Sequence, residues 1–278
     1  MSDAKFKNMA VAVGEVENTN FSSETGKNGM GKVTLNCDGD KVSVTVWGRE
    51  DGSTQRFIEN LEEGSLQQVQ GNVQQRRYDG KWYIDIQAWG TNGFTEKTDT
   101  KQKAVASIKG DVLNNEIEFT PEGDPQGELQ LLIFDSRGED KTRAEILQEE
   151  IKRSVEWLEE NTSKSTDRYK ELYESLEDDD SVDNVLSTFE ELQKNTDMRF
   201  FQIGHLLIKY EDKVGEYLVE ESVEEGYNIG LGISIINRME TDHFGEVTGS
   251  TQKLLAEKFY EVYERNESES TIDEEEPW

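Results

Sequence analysis

Apolar and polar residues alternate in short runs from Ala10 to Trp89, and Gly, Asn and Asp interrupt these runs. Successive side chains of a strand point to opposite faces, so such alternation is typical of strands with one buried face. The pattern therefore predicts five strands in this region. The apolar residues that mark them are Val11, Val13 and Val16; Val33, Leu35 and Cys37; Val42, Val44 and Val46; Val69 and Val73; and Ile84, Ile86 and Ala88.

The connections between these strands indicate a barrel. Residues 55–61, between the third and fourth strands, are long enough for one or two helical turns. A helix at that place in a five-stranded Greek-key barrel is typical of the OB type. The pair Asp79-Gly80 supplies the positive backbone angles of a tight hairpin between the fourth and fifth strands. We therefore expect an N-terminal OB-fold barrel over residues 1–92.

Side-chain parity assigns the outward face of this barrel. The outward residues are Ser43, Thr45 and Trp47 on the third strand and Tyr83, Gln87 and Trp89 on the fifth. Aromatic rings with cations beside them suit stacking on unpaired bases, which contributes about 1–3 kcal/mol per base. The nucleic-acid-binding residues expected on this face are Trp47, Tyr83, Trp89, Lys32, Arg49, Arg76, Arg77 and Lys81, with Tyr78 and Trp82 in the hairpin.

A structural role is the alternative for several of these residues. Trp47 and Trp89 would then pack under a loop or against the rest of the chain, and Arg76 and Arg77 would form a solvated turn. Trp82 has inward parity, so we expect it to pack in the hairpin or to make a contact at its tip.

Two glycine-containing blocks recur 96 residues further along the chain. Gly14-Glu15-Val16-Glu17-Asn18 corresponds to Gly110-Asp111-Val112-Leu113-Asn114, and Gly31-Lys32-Val33-Thr34-Leu35 corresponds to Gly127-Glu128-Leu129-Gln130-Leu131. This repetition predicts a second OB-like unit over residues 104–265, after a linker at 93–103.

Helical spacing interrupts the second unit at about residues 140–195. The apolar residues with this spacing are Leu147, Ile151, Val155 and Leu158; Tyr169, Leu172, Tyr173 and Leu176; and Val182, Val185, Leu186, Phe189 and Leu192. Strands are expected again at 200–209 and 227–237, and a helix at about 250–265. The predicted fold class is therefore mainly β with a helical insertion (α+β), followed by a disordered acidic tail at 266–278.

Charge differs strongly between the two parts of the 278-residue chain, whose net charge is −30. Residues 1–103 hold 13 Lys and Arg against 15 Asp and Glu, whereas residues 104–278 hold 17 against 45. Phosphate contacts need cations, so the total argues against a nonspecific binder of duplex DNA. Two other classes stay open: an acidic interaction protein, such as a DNA mimic or inhibitor that binds a nucleic-acid enzyme, and a scaffold whose barrel binds protein.

Residue types that carry catalysis are scarce. Cys37 has inward parity, which indicates a buried thiol, and His205 and His243 lack a third ligand at metal-binding spacing. The acidic run at 177–180 lacks the glycine and the final glutamate of a calcium loop. We expect no enzyme and no cofactor. With no apolar run of about 18 residues, the chain is expected to be soluble and cytoplasmic.

The acidic tail carries the most specific motif of the sequence. It ends in Asp273, Glu274, Glu275, Glu276, Pro277 and Trp278. Together with the aromatic OB-like unit, this motif resembles the single-stranded DNA-binding proteins of replication, whose bacterial members end in acidic residues, Pro and Phe, and whose phage members end in an acidic tail with an aromatic residue. Here Trp278 replaces Phe, and the apolar residue before the proline is absent.

The resemblance implies a function. The protein would bind and protect single-stranded DNA during replication, recombination and repair, in the cytosol of a bacterium or a phage-infected cell. Residues 273–278 would recruit a polymerase, primase, helicase or nuclease, and without DNA they would cover the cations of the barrel. The resemblance also implies a possible homo-oligomer, and the lack of a long apolar run leads us to expect no membrane partner.

Overall fold

The structure is a computed structural model. It describes residues 8–25, 27–78, 81–133, 148–149, 151–152, 155–156, 159–160, 165–179, 184, 187–188, 205–241 and 247–263. Within these residues, eleven strands form one continuous sheet, and three helices have defined bounds. The chain is therefore mostly β and belongs to the α+β class.

The strands and helices are numbered in chain order. The strands are β1 (Met9–Ser22), β2 (Met30–Cys37), β3 (Asp40–Trp47), β4 (Leu66–Tyr78), β5 (Lys81–Ala88), β6 (Phe94–Glu96), β7 (Lys103–Phe119), β8 (Pro125–Ile133), β9 (His205–Tyr210), β10 (Asn228–Thr241) and β11 (Val247–Tyr263). The helices are α1 (Ser53–Glu59), α2 (Asp167–Asp178) and α3 (Asp212–Glu220), with a 3₁₀ turn at Thr91–Gly93.

Strands β1 to β5 pair in a closed circuit, which we call the first repeat together with α1. The neighbours are β1–β2, β2–β3, β3–β5, β5–β4 and β4–β1, and only β3–β5 is parallel. The five predicted strands are confirmed, and so is the helix between the third and fourth strands. The predicted apolar residues of β2 to β5 are all buried in the core.

Strand β1 differs in part from its prediction. Ala10, Ala12 and Val16 enter the core, whereas Val11 is only half-buried. The cause is parity: Val11 points to the face opposite Ala10 and Ala12. Val13 has the same parity as Val11 but is buried. It pairs with Lys103 of β7, the strand that joins β1 to the second half of the sheet.

Strands β7 to β11 repeat the same circuit, and with α3 they form the second repeat. The neighbours are β7–β8, β8–β9, β9–β11, β11–β10 and β10–β7, and again only the third pairing is parallel. Helix α3 lies between β9 and β10, as α1 lies between β3 and β4. The repetition predicted from the glycine blocks is therefore present in the strand pairing.

A β-bulge recurs at the same place in both repeats. The register shifts between Val16 and Asn18 in the β1–β2 pair, and between Val112 and Asn114 in the β7–β8 pair. At each bulge the valine backbone N–H donates to the residue before the fourth strand. These bonds are Val16 N to Ser65 O (3.0 Å) and Val112 N to Tyr227 O (2.7 Å).

The two repeats join through strands and side chains. Strand β1 pairs with β7 from Met9↔Ser107 to Val13↔Lys103, which makes the sheet continuous. At the start of β3, Asp40 forms a salt bridge with Arg238 of β10 (3.1 Å). Further bonds between the repeats join Gln75 Oε1 to Leu207 N (2.6 Å) and Gln252 Nε2 to Ile84 O (3.4 Å).

The helix predicted at 250–265 is wrong, because residues 250–263 belong to strand β11. Leu254 and Ala256 are buried on one face between β9 and β10, with strand periodicity. Two of the three register shifts between β10 and β11, at Gly230/Leu231 and Gly232/Ile233, then break the alternation. As a result Leu255, Phe259 and Val262 acquire a spacing that imitates a helix.

The remaining segments follow the prediction in part. Phe94–Glu96 of the expected linker forms β6, which pairs with β4, and Phe94 packs edge-on against Phe57 (5.1 Å between ring centroids). Helix α2 lies within the expected helical insertion. Among the apolar residues that mark that insertion in the sequence, Ile151, Val155, Tyr169, Leu172 and Leu176 are buried and Tyr173 is half-buried. Leu147, Leu158, Val182, Val185, Leu186, Phe189 and Leu192 lie outside the described residues, as do the segments at 200–204 and 264–278.

No helix in the described ranges is long and apolar enough to cross a membrane.

Candidate nucleic-acid interface

Two exposed tryptophans lie at the same end of neighbouring strands in the first repeat. Strands β3 and β5 pair in parallel up to Thr45↔Gln87. Trp47 and Trp89 each follow two residues later, and they are 40% and 45% exposed. The register therefore brings these two predicted site residues to one end of the β3–β5 pair.

The ring of Trp89 is held in place by β4. Its backbone N–H donates to Gln70 O (3.1 Å), and its indole Nε1–H donates to Asn72 Oδ1 (3.0 Å). A ring fixed in this way loses little conformational entropy when a base stacks on it. Asn72 has outward parity in β4, but its role as a support for Trp89 is visible only once the strands are paired.

Two predicted cations flank these rings. Lys32 is exposed on β2 and pairs with Thr45 of β3, so it lies diagonally across from Trp47. Arg49 follows Trp47, and its Nη2 lies 3.3 Å from the point where a Cβ on Gly90 would stand. Neither Lys32 nor Arg49 forms a salt bridge with another described residue. We call this group of Lys32, Trp47, Arg49, Asn72 and Trp89 the tryptophan end.

Tyr83 is separated from the tryptophan end. It lies six residues before Trp89 on β5, which corresponds to about 20 Å along an extended strand. It is 38% exposed, but Asp85 between them is only 8% exposed. Asp85 has the outward parity of Tyr83, so parity alone places a carboxylate in the middle of the expected surface. The three aromatic residues therefore do not form one continuous stacking surface.

The hairpin residues of the expected site are described only through their backbones. Arg76, Arg77 and Tyr78 belong to β4, and Lys81 and Trp82 belong to β5, while their side chains lie outside the described set. The pairing of Tyr78 with Lys81 leaves a two-residue connection, as the Asp79-Gly80 pair predicts. The structure thus neither joins these side chains to the tryptophan end nor separates them from it.

Thr45 was expected to face outward, yet it is buried at 8% exposure. It lies between Lys32 of β2 and Gln87 of β5, and these longer side chains flank it on both neighbouring strands. The open part of the outward face is consequently concentrated at the end of the strands, where Trp47 and Trp89 stand.

The residues considered for other chemistry have structural positions. Cys37 is buried, as expected, and burial, with a smaller effect from Asp40, raises the pKa of its thiol to about 12. The thiol is therefore protonated and unreactive at neutral pH. The backbone of His205 begins β9, and its side chain and the whole of His243 lie outside the described residues. Within the part of the chain that is described, no three His, Cys, Asp or Glu side chains group as metal ligands.

The overall architecture is similar to that of single-stranded DNA-binding proteins. The crystal structure of the wild-type single-stranded DNA binding protein from Thermus aquaticus aligns with a TM-score of 0.54 at 12% identity, over 98% of this chain and 100% of that chain. A deletion mutant of the same Thermus aquaticus protein gives a TM-score of 0.53 at 12% identity, over 96% and 99% of the two chains. The similarity of fold thus extends over both repeats.

Comparison of the sequence with protein-family models gives no match, and no curated protein matches it.

Proposed function

We propose that this protein binds single-stranded DNA at the tryptophan end of the first repeat. The observation that carries the proposal is the pair Trp47 and Trp89, exposed on neighbouring strands with Lys32 and Arg49 beside them. The similarity of fold to the Thermus aquaticus protein supports single-stranded DNA as the ligand.

Each repeat is, in this proposal, an OB-type barrel. The closed circuit of five strands, with a helix between the third and fourth, matches the order of that fold. OB folds commonly bind oligonucleotides on the face of strands two and three. In the first repeat these strands are β2 and β3, which carry Lys32 and Trp47.

The mechanism follows from the chemistry of the tryptophan end. Unpaired bases stack on the indole rings, while Lys32 and Arg49 contact the phosphates. A duplex hides its bases within the stack, so it would offer only phosphates to a protein with a net charge of −30. The surface therefore favours single strands.

Replacement of both tryptophans tests the proposal. If each ring holds one base, Trp47→Ala with Trp89→Ala should cost about 2–6 kcal/mol of binding free energy. This loss corresponds to a rise in Kd of at least about 30-fold. The measurement is the fluorescence anisotropy of a labelled oligo(dT), since the substitution removes tryptophans that would otherwise report binding.

A matched control is available in the second repeat. Tyr217 and Tyr227 are 47% and 39% exposed, close to the values of the two tryptophans. Their joint replacement by alanine should leave Kd unchanged. Equal affinity of the tryptophan variant and the native chain would refute the stacking assignment. If the native chain does not bind oligo(dT) at all, the acidic interaction protein becomes the better interpretation.

The acidic segment 266–278 belongs to the proposal as a recruitment site. Asp273, Glu274, Glu275 and Glu276 would attract a basic pocket on a replication or recombination protein, and Pro277 and Trp278 would occupy it. The same segment would compete with phosphates for Lys32 and Arg49. The place of action would be a replication fork in the cytosol.

Removal of residues 267–278 tests this second part. The shortened chain should bind oligo(dT) more tightly at low salt and lose its protein partner. Equal affinities of the two chains in a low-salt titration would rule out competition between the acidic segment and DNA.

A further inference from the structure

The matching strand registers give each residue of the first repeat a counterpart in the second. Val33 pairs with Val44, as Leu129 pairs with Ile208. Val44 then pairs with Ile86, as Ile208 pairs with Leu254. Counting along each strand from these buried pairs identifies the residues of the second repeat that are equivalent to those of the tryptophan end.

Glutamates occupy three positions of that end. Glu128 is the counterpart of Lys32 on the second strand, and Glu211 is the counterpart of Trp47 directly after the third. Glu257 follows Ala256 on β11, as Trp89 follows Ala88 on β5, and it stands at a bulge. Glu211 and Glu257 are both exposed.

Two lysines on this face of the second repeat have carboxylate partners. Lys209, the counterpart of Thr45, forms a salt bridge with Glu128. Lys253, the counterpart of Asp85, forms a salt bridge with Glu211 (3.4 Å). Lys253 thus stands where the first repeat has Asp85. The difference between the two faces is therefore more than the surplus of acidic residues in the second half of the chain. At the positions of Lys32, Trp47 and Trp89 the second repeat therefore offers neither a stacking ring nor a cation, whereas Lys213, at the position of Arg49, is exposed.

We propose that Glu128, Glu211 and Glu257 exclude single-stranded DNA from the second repeat, so that each chain binds a strand through its first repeat alone. The inference rests on the proposed function and adds where along the chain the DNA lies. Carboxylates at the positions of Lys32, Trp47 and Trp89 provide neither a cation for a phosphate nor a surface for a base. The second repeat keeps the barrel architecture without the binding surface.

Charge reversal on the second repeat tests this assignment. The variant is Glu211→Lys with Glu257→Lys in the full chain, and the probe is oligo(dT) with photoreactive thymines, whose cross-links are mapped by peptide mass spectrometry. In the native chain we expect cross-links to β2, β3 and β5 and none to β9 or β11. In the variant, cross-links to β9 and β11 should appear, and the occluded length should grow by about 4 nucleotides or more.

A control variant with the same change in charge separates local from general electrostatics. Glu224 and Glu225 are exposed and precede Gly226, as Glu62 and Glu63 precede Gly64 in the first repeat. These acids are common to both repeats and so do not distinguish them. Glu224→Lys with Glu225→Lys should raise affinity through net charge alone, without cross-links to β9 or β11.

The outcomes distinguish this inference from the proposed function. Cross-links to β9 or β11 in the native chain, or the same result for both charge-reversal variants, would overturn the exclusion of DNA from the second repeat while leaving single-strand binding intact. A native chain that neither binds nor cross-links to oligo(dT) would overturn the proposed function and this inference with it.

Discussion

The two repeats have the same strand circuit but opposite surfaces at the equivalent end. In the first, Trp47 and Trp89 emerge from β3 and β5 beside Lys32 and Arg49, whereas in the second Glu211 and Glu257 occupy the positions of the two tryptophans. The difference teaches that the shared strand circuit does not itself provide the candidate site. A few residues at or just beyond the ends of two neighbouring strands determine what the surface can bind.

The two repeats share glycines at positions where the backbone is tightly constrained. Gly14 and Gly110 approach the second strand so closely that a Cβ would stand 2.5 Å from Asn36 O and 2.6 Å from Leu132 O, respectively. Both glycines lie two residues before the bulge valine. These positions serve the fold, and they explain why a repetition is detectable in the sequence.

Replacement of these glycines is expected to have the largest effect on stability. Gly14→Ala and Gly110→Ala each force a methyl group against a strand backbone, which typically costs about 1–3 kcal/mol. We expect similar losses in the two repeats, measured by urea denaturation. Gly39→Ala is unsuitable as a control because of its positive φ, whereas Ser107→Ala provides an ordinary strand substitution. A loss confined to one repeat would show that the bulge is not an equivalent structural feature of both.

Much of the fold could be predicted because its signals are local. Strict alternation marks β2 to β5, and the Asp79-Gly80 pair marks the hairpin between β4 and β5. Strand β11 could not be predicted, since its bulges shift the apolar residues from a period of two toward a period close to that of a helix. The difference between these cases lies in backbone regularity, not in the number of apolar residues.

The candidate site was predictable only in part for a different reason. Parity correctly makes Trp47 and Trp89 exposed, but only the β3–β5 register shows that they lie together and that Tyr83 lies elsewhere. The equivalence of Glu211 to Trp47 and of Glu257 to Trp89 also cannot be detected in the sequence. The long segment between β8 and β9 changes the spacing of the repeat, so a search at the constant offset of 96 residues loses the alignment there.

The contact between the repeats allows a test of their dependence on each other. The Asp40 carboxylate, whose side chain is 13% exposed, accepts hydrogen bonds from Asn237 N (3.0 Å) and from Arg238 Nε (3.1 Å). Asp40→Ala removes the acceptor of the Asn237 N–H, at a cost of about 1 kcal/mol in the free energy of unfolding. Urea denaturation measures the loss, and a single transition should be retained.

An exposed pair provides the control for this substitution. Lys27 and Glu50 lie 3.7 Å apart with side chains 86% and 78% exposed. Glu50→Ala should leave stability unchanged, because solvent screens such a pair. If Asp40→Ala also leaves the free energy of unfolding unchanged, the salt bridge between the repeats does not contribute to their association.

The smallest expected effect concerns the salt dependence of DNA binding. Each phosphate contact of a cation contributes about 0.7 to the slope of log K against log salt for a single strand. Lys32→Ala and Arg49→Ala should each reduce the slope by about that amount in oligo(dT) titrations over a range of NaCl concentrations. Lys213 follows Glu211 by two residues, as Arg49 follows Trp47, and it is exposed. Lys213→Ala should therefore leave the slope unchanged, since the second repeat holds no phosphate in our proposal. A reduced slope for Lys213→Ala would place DNA on both repeats and remove the functional distinction between them, even if the tryptophan variant lost its affinity as expected.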